Sequence, residues 1–409
     1  MEYRGQTLYL DDVPLADVAK RYGTPCYVYS SRQILEHFQA YDRAFGSVPH
    51  QVCYAVKANG NLAILKLLAE AGAGFDIVSG GELFRVLKAG GHPDKVIFSG
   101  VGKTSTELDY ALEHKIRGFN CESEPELALI DSLAARRGVK AHVALRVNPD
   151  VDAETHPYIS TGLKKHKFGI DIAEAEAVYE RAKAFPNLAL EGVSCHIGSQ
   201  ILEIQPMLEV FDKMAAFADR LRSRGIPIRS LDLGGGLGVA YKPGEIAPAI
   251  TDYVRAMCDR LQSHDLEILI EPGRSIVAEA GLLLTRVLYR KNNGERNFVI
   301  VDAGMNDLIR PALYHSHHEI IPLRQGHSGT IHADIVGPVC ETGDFLARNR
   351  EVANVLPGDL LAICTAGAYS FVAASNYNAR PRPPEVLVED GGYRVIRKRE
   401  SYEDLIRGE

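Results

Sequence analysis

The chain has 409 residues, of which 46% are hydrophobic and 24% are charged, and its formal net charge is −7. This balance is typical of a globular enzyme, and the length predicts two domains, one of them large enough to form a barrel. The acidic charge argues against nucleic acid or an anionic membrane as a partner.

The N-terminal segment Met1–Val13 is charged and lacks an apolar core. It therefore does not look like a secretory signal, and no later run is apolar and long enough to span a membrane, so we expect a cytoplasmic protein. The seven cysteines are odd in number and form no C-x-x-C pair, which indicates reduced thiols and neither a disulfide framework nor a zinc site.

Two strand-like runs open the chain, Thr7–Leu10 and Cys26–Tyr29. Neither is followed by a helix of the kind found in barrels, so we expect both to pair with the C-terminal part of the chain.

From residue 51 to residue 271, eight short apolar runs alternate with segments of helical spacing. The runs are Val52–Val56, Phe75–Val78, Val96–Phe98, Gly118–Cys121, His142–Val147, Leu190–Cys195, Ser230–Leu233 and Glu267–Ile270. Strands that alternate with helices favour parallel βαβ units, and eight of them predict a (β/α)8 barrel. Predicted helix N-caps are Ser79, Ser105 and Ser123.

After about Gly281 the strand-like runs follow one another without long helices, which predicts a mostly antiparallel β domain. These runs are Leu282–Leu288, Asn297–Val301, Thr330–Val336, Asp359–Cys364 and Val386–Val388. The predicted fold is therefore α/β, with a barrel over residues 30–280 and a β-rich domain built from residues 1–29 and 281–409.

Catalytic residues of (β/α)8 barrels lie at the C-terminal ends of the strands. The residues at these positions are polar or glycine, although each alone also fits ordinary turn chemistry. They are Lys57, Asp76, Ser79, Ser99, Gly100, Glu122, Asn148, His196, Ser199, Gly234, Gly235, Gly236, Glu271 and Arg274. Together they predict a polar mouth on an apolar barrel.

Lys57 is the candidate catalytic amine, because it ends an apolar run directly before Asn59-Gly60-Asn61. A lysine that is partly neutral forms Schiff bases with carbonyl compounds, pyridoxal phosphate among them. The alternative is a solvated lysine at a strand end.

The glycine loop Asp232–Gly238 would let backbone N–H groups approach a phosphate closely, unless it is only a tight turn. It is not a dinucleotide-binding motif, because Val239 stands where a glycine is required. Ser99–Thr104 likewise resembles the end of a P-loop, but Ile97 occupies the position of the first glycine. We therefore expect no nucleotide cofactor.

Glu271 and Arg274 flank a Pro-Gly turn. A carboxylate at a strand end can keep a pyridine nitrogen protonated, and an arginine can grip a carboxylate or a phosphate. The alternative is a mutual salt bridge. His196 suits stacking on a cofactor ring or proton transfer, or else it is a structural histidine. His315, His317 and His318 lack the spacing of a metal motif, so we expect adventitious surface binding at most and no metal site.

Over nearly its whole length the chain resembles the diaminopimelate decarboxylases, which are fold-type III pyridoxal-phosphate decarboxylases. Motifs of the superfamily are Tyr54–Asn59, Phe75–Glu82, Phe98–Thr104, His196–Gln200, Gly234–Gly236 and Glu271–Arg274. Motifs more specific to diaminopimelate are His156–Gly162, Asp302–Tyr314 and Gly337–Asp344. The resemblance implies decarboxylation of meso-2,6-diaminopimelate to L-lysine, with pyridoxal 5'-phosphate as cofactor.

The resemblance also implies roles for individual residues. Lys57 would hold the cofactor covalently, His196 would stack on its ring and Glu271 would bond the pyridine nitrogen. The cofactor phosphate would be bound by Ser199, Gly235, Gly236, Gly273 and Arg274. Substrate would be bound by Arg274, Arg310, Tyr314 and Glu341, and Tyr369 would contact both cofactor and substrate.

Cys340 would be the catalytic proton donor, reaching the site from the second subunit of a homodimer whose active sites are shared. The segment Ile159–Phe168 would close over the site, and its Lys164-Lys165-His166-Lys167 is more basic than the family pattern.

Three alternatives stay open. A decarboxylase of ornithine, lysine or arginine would not need Arg310, which suits a substrate with a distal carboxylate. An enzyme similar to the alanine racemases would place an arginine, and not Glu271, at the pyridine nitrogen. A non-catalytic regulator that binds pyridoxal phosphate would not need Lys57 together with Cys340.

Overall fold

A computed structural model describes residues 1–151, 167–261 and 264–409. The chain divides into two compact units. The barrel unit comprises Leu35–Val239 and Ile246–Ser275, and the terminal unit comprises Met1–Ile34, Ala240–Glu245 and Ile276–Glu409. The predicted closing segment Ile159–Phe168 and the motif His156–Gly162 lie wholly or largely outside the described residues.

Eight parallel strands form the centre of the barrel unit. They are His50–Ala55, Gly74–Ile77, Val96–Phe98, Gly118–Cys121, Ala141–Asn148, Leu188–Ser194, Ser230–Asp232 and Glu267–Ile270. Each strand pairs in parallel with the next, and Ile268 on the last strand pairs with His50 on the first, so the sheet closes. The predicted (β/α)8 barrel is confirmed, and the predicted strand bounds are within two residues of those observed.

Helices separate the strands. They are Leu62–Glu70, Gly80–Lys88, Ser105–Glu113, Glu124–Arg137, Ile172–Ala182, Gln205–Ser223 and Ile250–Leu261, with Ser31–Phe45 before the first strand and the short Arg274–Val277 after the last. Their apolar faces cover the sheet; the helix Gln205–Ser223, for example, buries Phe211, Met214 and Phe217.

Side-chain caps begin several of these helices. The hydroxyl oxygens of Ser79 and Ser123 accept the N–H groups of Glu82 and Glu126, so these two predicted caps are confirmed. The predicted cap Ser105 is wrong. Thr104 is the N-cap, because its hydroxyl accepts the N–H of Glu107 while the Glu107 carboxylate accepts the N–H of Thr104.

Small residues leave part of the barrel interior open at the N-terminal ends of the strands. Cys53, Ile97 and Leu269 pack together there. A cavity of about 730 Å³, lined in part by Ile97 and Leu269, extends inward as far as Asn120 and Asp232, and its lining also includes Gly118, Ala144, Gly192 and Ser230. Solvent can therefore approach the lower side of the polar groups at the barrel mouth.

The terminal unit contains a mostly antiparallel sheet, as predicted. Its strands follow the spatial order Phe345–Ala353, Thr330–Val336, Asn297–Val301, Gly281–Asn292, Cys26–Ser30, Glu385–Glu389 and Gly392–Arg397, and Leu360–Ile363 pairs with both Gly281–Asn292 and Ile320–Pro322. Cys26–Ser30 lies inside this sheet, so the N-terminal strand does pair with the C-terminal part of the chain.

Thr7–Leu10 pairs mainly with Glu2–Arg4 and Val13–Pro14 in a small sheet. It also pairs with the C-terminal part, as predicted, through the bridge between Thr7 and Arg324 and the hydrogen bond from the Leu8 N–H to the Leu323 carbonyl at 2.9 Å. In the described ranges no helix is long and apolar enough to cross a membrane.

Candidate active site

Lys57 lies at the barrel mouth. It is in the 3-10 turn Val56–Ala58, directly after the first strand, and its Nζ donates a hydrogen bond to Oδ2 of the fully buried Asp76. Asp76 is on the neighbouring strand, where it is the register partner of Ala55. The side chain of Lys57 keeps 35% of its surface exposed, so the amine is both anchored and accessible.

Glu271 lies at the end of the last strand among buried polar side chains. Its Oε1 accepts hydrogen bonds from the Ser99 hydroxyl at 3.2 Å and from Nδ2 of Asn120 at 3.1 Å. Burial, and then the charges of Asp232 and Asp76, raise the pKa of Glu271 well above its usual value. Burial at the mouth therefore favours the protonated form of Glu271.

His196 is held by the glycine loop. The Gly235 N–H donates to Nδ1 of His196 at 3.2 Å, which leaves the ring proton on Nε2. Burial, and then the nearby charges of Arg146 and Lys57, lower the pKa of His196 well below its usual value. A neutral, oriented imidazole is suited to stacking on an aromatic ring.

The glycines of the mouth are required by close backbone packing. A Cβ on Gly235 would lie 2.3 Å from the Glu271 carbonyl oxygen, and one on Gly236 would lie 2.8 Å from that of Gly198. A Cβ on Gly273 would lie 2.9 Å from Cβ of Ala58. The loop is thus more than a tight turn: it brings backbone close to Glu271.

Arg274 donates a hydrogen bond from Nη2 to the Ser199 hydroxyl at 3.0 Å. This contact joins two of the predicted phosphate-binding residues, and it places a guanidinium beside the glycine loop. An arginine, a hydroxyl group and backbone N–H groups are a donor set that fits a phosphate.

Several polar atoms on two adjacent strands are buried without a hydrogen-bond partner in the described structure. They are Nε and Nη2 of Arg146, Oδ1 of Asn148 and Oγ of Ser194. Ser194 is the register partner of Arg146, so these side chains project from neighbouring positions toward the same end of the barrel. Unpaired buried groups are costly, which indicates that a polar ligand or water completes them. With the phosphate donor set, this fits pyridoxal phosphate.

Apart from Arg274, which is in the barrel unit, the predicted substrate residues lie in the terminal unit. Arg310 is buried at the start of the helix Arg310–Tyr314, with Nη1 3.1 Å from Nε2 of His318 and its guanidinium 4.5 Å from the centre of the Tyr241 ring. Tyr314 ends the same helix. His318 is fully buried, so the expected surface position of the histidine cluster is wrong for this residue.

Cys340 and Glu341 are adjacent and exposed on the loop after the strand Thr330–Val336. The Cys340 N–H donates to Oδ1 of Asn378 at 2.7 Å, which orders the loop. Tyr369 is half-buried after the strand Leu360–Ile363, and its φ of 56° is in the left-handed region. Such a conformation is uncommon for a tyrosine and is often found at functional sites.

Sequence reasoning missed Asn120, Arg146 and Asp232 as members of the site. All three lie in strands. Asn120 and Arg146 were counted only as parts of apolar runs, and Asp232 only as part of a run and as the first residue of the glycine loop. The available signal was polarity at a strand's C-terminal end: each is the last or among the last residues of its strand.

Residues 31–278 match the pyridoxal-binding domain of the pyridoxal-dependent decarboxylases, so the barrel and its mouth define a chain of that class. The diaminopimelate decarboxylases of Vibrio cholerae and Pseudomonas aeruginosa are 53% and 54% identical to it, over 97% and 100% of this chain and 95% and 98% of their own lengths. The crystal structure of diaminopimelate decarboxylase from Helicobacter pylori complexed with L-lysine has a TM-score of 0.92 at 46% identity, over 96% of this chain and 98% of that one. The chain belongs to the diaminopimelate decarboxylase family.

Proposed function

We propose that this protein removes carbon dioxide from meso-2,6-diaminopimelate and releases L-lysine, with pyridoxal 5'-phosphate as cofactor. The observation that carries the proposal is the match at about half identity along the full chain to diaminopimelate decarboxylases. L-lysine, the ligand of the Helicobacter pylori relative, would be the product here.

The residues of the barrel mouth would hold the cofactor. Lys57 would bind it covalently, His196 would lie against its ring, Glu271 would bond its ring nitrogen, and the phosphate would be held by Ser199, Gly235, Gly236, Gly273 and Arg274. The bound cofactor supplies an electron sink for the pair left behind by departing carbon dioxide. Asp76 positions the Lys57 amine through its hydrogen bond to Nζ.

Residues of the terminal unit would bind substrate and return a proton. Arg310, as a buried cation, suits the distal carboxylate that distinguishes diaminopimelate from ornithine, lysine and arginine. The rest of the substrate would be bound by Tyr314, Glu341, Tyr369 and Arg274. Cys340 would give the proton of its Sγ to the carbon that lost the carboxylate.

We further propose a cytoplasmic homodimer in which Cys340 and Glu341 serve the partner's site. Their exposure on one loop supports this assignment, because exposed catalytic side chains need a second surface to exclude water. The proposed domains are the cofactor-binding barrel, residues 30–280, and the β-rich domain, residues 1–29 and 281–409.

Carbon dioxide release tests the function. The purified protein, loaded with pyridoxal phosphate, is given meso-diaminopimelate, L-ornithine, L-lysine or L-arginine in separate reactions. Release from diaminopimelate alone, with equimolar lysine, is expected. Release from another amino acid would overturn the role of Arg310, and cofactor binding without any release would identify a regulator.

A further inference from the structure

Behind Glu271 lies a second buried carboxyl group, that of Asp232. Asp232 ends the seventh strand and is the register partner of Leu269, two residues before Glu271 on the eighth strand, so both carboxyl groups face the barrel interior. Asp232 is 3% exposed and Glu271 is 8% exposed.

One amide links the two carboxyl groups. Nδ2 of Asn120, from the opposite part of the barrel, lies 2.8 Å from Oδ2 of Asp232 and 3.1 Å from Oε1 of Glu271. Oxygen atoms of both carboxyl groups therefore lie within hydrogen-bonding distance of one nitrogen, so the two groups are close together in the buried interior. Two buried carboxylates held this close do not both ionise readily.

The donors around the pair decide which group carries the proton. Asp232 accepts at both oxygens, from the Gly234 N–H at 2.9 Å and from Asn120, and such bonds favour its ionised form. Glu271 accepts at Oε1 from the Ser99 hydroxyl and from Asn120. Its other oxygen is left to carry a proton. Burial raises the pKa of both groups, and that of Glu271 is raised furthest because the Asp232 charge adds to burial.

We propose that Asp232 is a positioning residue for the reaction: its carboxylate, fixed by Asn120 and Gly234, keeps one proton on Glu271 and so supplies the proton that Glu271 gives to the ring nitrogen of the cofactor. In that transfer the O–H bond of Glu271 would break as an N–H bond formed at the ring nitrogen, leaving Glu271 as a carboxylate beside a cationic ring. The negative charge of Asp232 would then disfavour loss of this proton from the pair formed by Glu271 and the ring nitrogen. The inference rests on the role proposed for Glu271.

Two variants with opposite expected signs test the pair. Asp232→Asn removes the charge behind Glu271, so the pH at which Glu271 loses its proton falls by about one unit or more. Ser99→Ala removes a donor to the Glu271 carboxylate without removing a charge, so the same midpoint rises. General disruption of the site would move both midpoints in one direction.

A swapped pair provides the rescue. In the double variant Asn120→Asp with Asp232→Asn, an amide and a carboxylate still face each other, and the carboxylate at position 120 replaces the amide that contacts Oε1 of Glu271. A charge is thus restored beside Glu271. The midpoint is expected to return to the wild-type value or to exceed it. This variant carries the test alone if Asp232→Asn does not fold.

The measurement is infrared titration of the carboxylic acid C=O band in the full-length protein with isotope-labelled glutamate, before and after cofactor loading. The nitrogen resonance of ¹⁵N-labelled pyridoxal phosphate then reports ring protonation in the same variants. The inference would be overturned if the Glu271 midpoint were unchanged in Asp232→Asn, or if the midpoint of the swapped pair were below that of the wild type. In either case the proposed function would stand as long as carbon dioxide was still released. Failure of the proposed function would instead show as absent release with the pair's titration intact.

Discussion

Single residues at the barrel mouth derive their properties from neighbours that are distant in the chain. Lys57 is anchored by Asp76, and the charge state of His196 depends on Arg146 as well as on burial. A lysine that ends a strand is ordinarily solvated; here a buried carboxylate from the next strand holds it at the mouth.

Replacement of Lys57 by alanine is expected to abolish covalent cofactor binding and to reduce carbon dioxide release by roughly a thousandfold or more, because no other described amine lies against Asp76. Cofactor absorbance after gel filtration and carbon dioxide release measure the two effects. Lys66→Ala is the matched control, since Lys66 is an exposed helix residue paired only loosely with Glu70 at 3.7 Å. Normal turnover in Lys57→Ala would refute the assignment.

The raised pKa of Asp307 should make the free energy of unfolding depend on pH. Burial raises its pKa from 3.8 to about 7, while the N–H of Gly304 acts in the opposite direction. Between about pH 4 and pH 7 the folded protein therefore binds more protons than the unfolded chain, and the free energy of unfolding falls as pH rises through this window.

Asp307→Asn should remove this fall in the free energy of unfolding, because an amide does not titrate. The free energy of unfolding of the variant, relative to that of the wild type, should therefore increase from pH 4 to pH 8, by at most about 1.4 kcal/mol for each unit of pKa separation. The remaining amide oxygen can still accept one of the two donors that contact Asp307 now, Nδ2 of Asn306 and the Gly304 N–H. Urea midpoints at several pH values measure the effect. Asp390→Asn, at an exposed turn, is the control, and a pH-independent difference for Asp307→Asn would contradict the prediction.

At the scale of elements, the helix Ser105–Glu113 shows how a cap is chosen. Thr104 and Ser105 are adjacent hydroxyl residues, and both precede acidic side chains. Only Thr104 has the extended backbone that turns its hydroxyl onto the N–H of Glu107. The Glu107 carboxylate, in turn, accepts the N–H groups of Thr104 and Gly80, linking this helix to the one before it.

Thr104→Ala is accordingly expected to lower the free energy of unfolding by about 1 kcal/mol, the usual cost of losing a side-chain cap. Ser105→Ala should change it by less than about 0.5 kcal/mol, because alanine is favourable inside a helix. Thermal unfolding of both variants measures the difference. Equal effects would show that the reciprocal Thr104 and Glu107 contacts do not stabilise the helix start.

At the scale of the whole molecule, the proposed dimer makes a complementation prediction. Lys57→Ala and Cys340→Ala should each be nearly inactive, but if the sites are shared, exchange of subunits creates mixed dimers with one site that has both residues. An equal mixture should then regain about a quarter of wild-type activity. Carbon dioxide release before and after subunit exchange measures it, with each variant exchanged against itself as the control. No recovery in a mixture that sediments as dimers would exclude shared sites.

Much of the architecture was predictable because it depends on local patterns. The eight barrel strands were found to within two residues, since strand and helix periodicities differ within a few positions. Phe345–Ala353 was missed because its centre, Arg348–Glu351, is polar, as is common on an edge strand. Gly392–Arg397 was missed although Asp390-Gly391 is a recognisable hairpin turn.

Local pattern thus determined the barrel, the mostly antiparallel second sheet and the positions of Lys57, Gly234–Gly236 and Glu271 at strand ends. Tertiary structure alone decided which interior side chains meet there. Asn120 bonds Glu271 across 151 positions of sequence and Asp232 across 112, and such contacts depend on strand register and on barrel closure, which no short stretch of sequence encodes. For the same reason the burial of His318 and the meeting of Asp232 and Glu271 at the Asn120 amide became evident only when the strands were assembled.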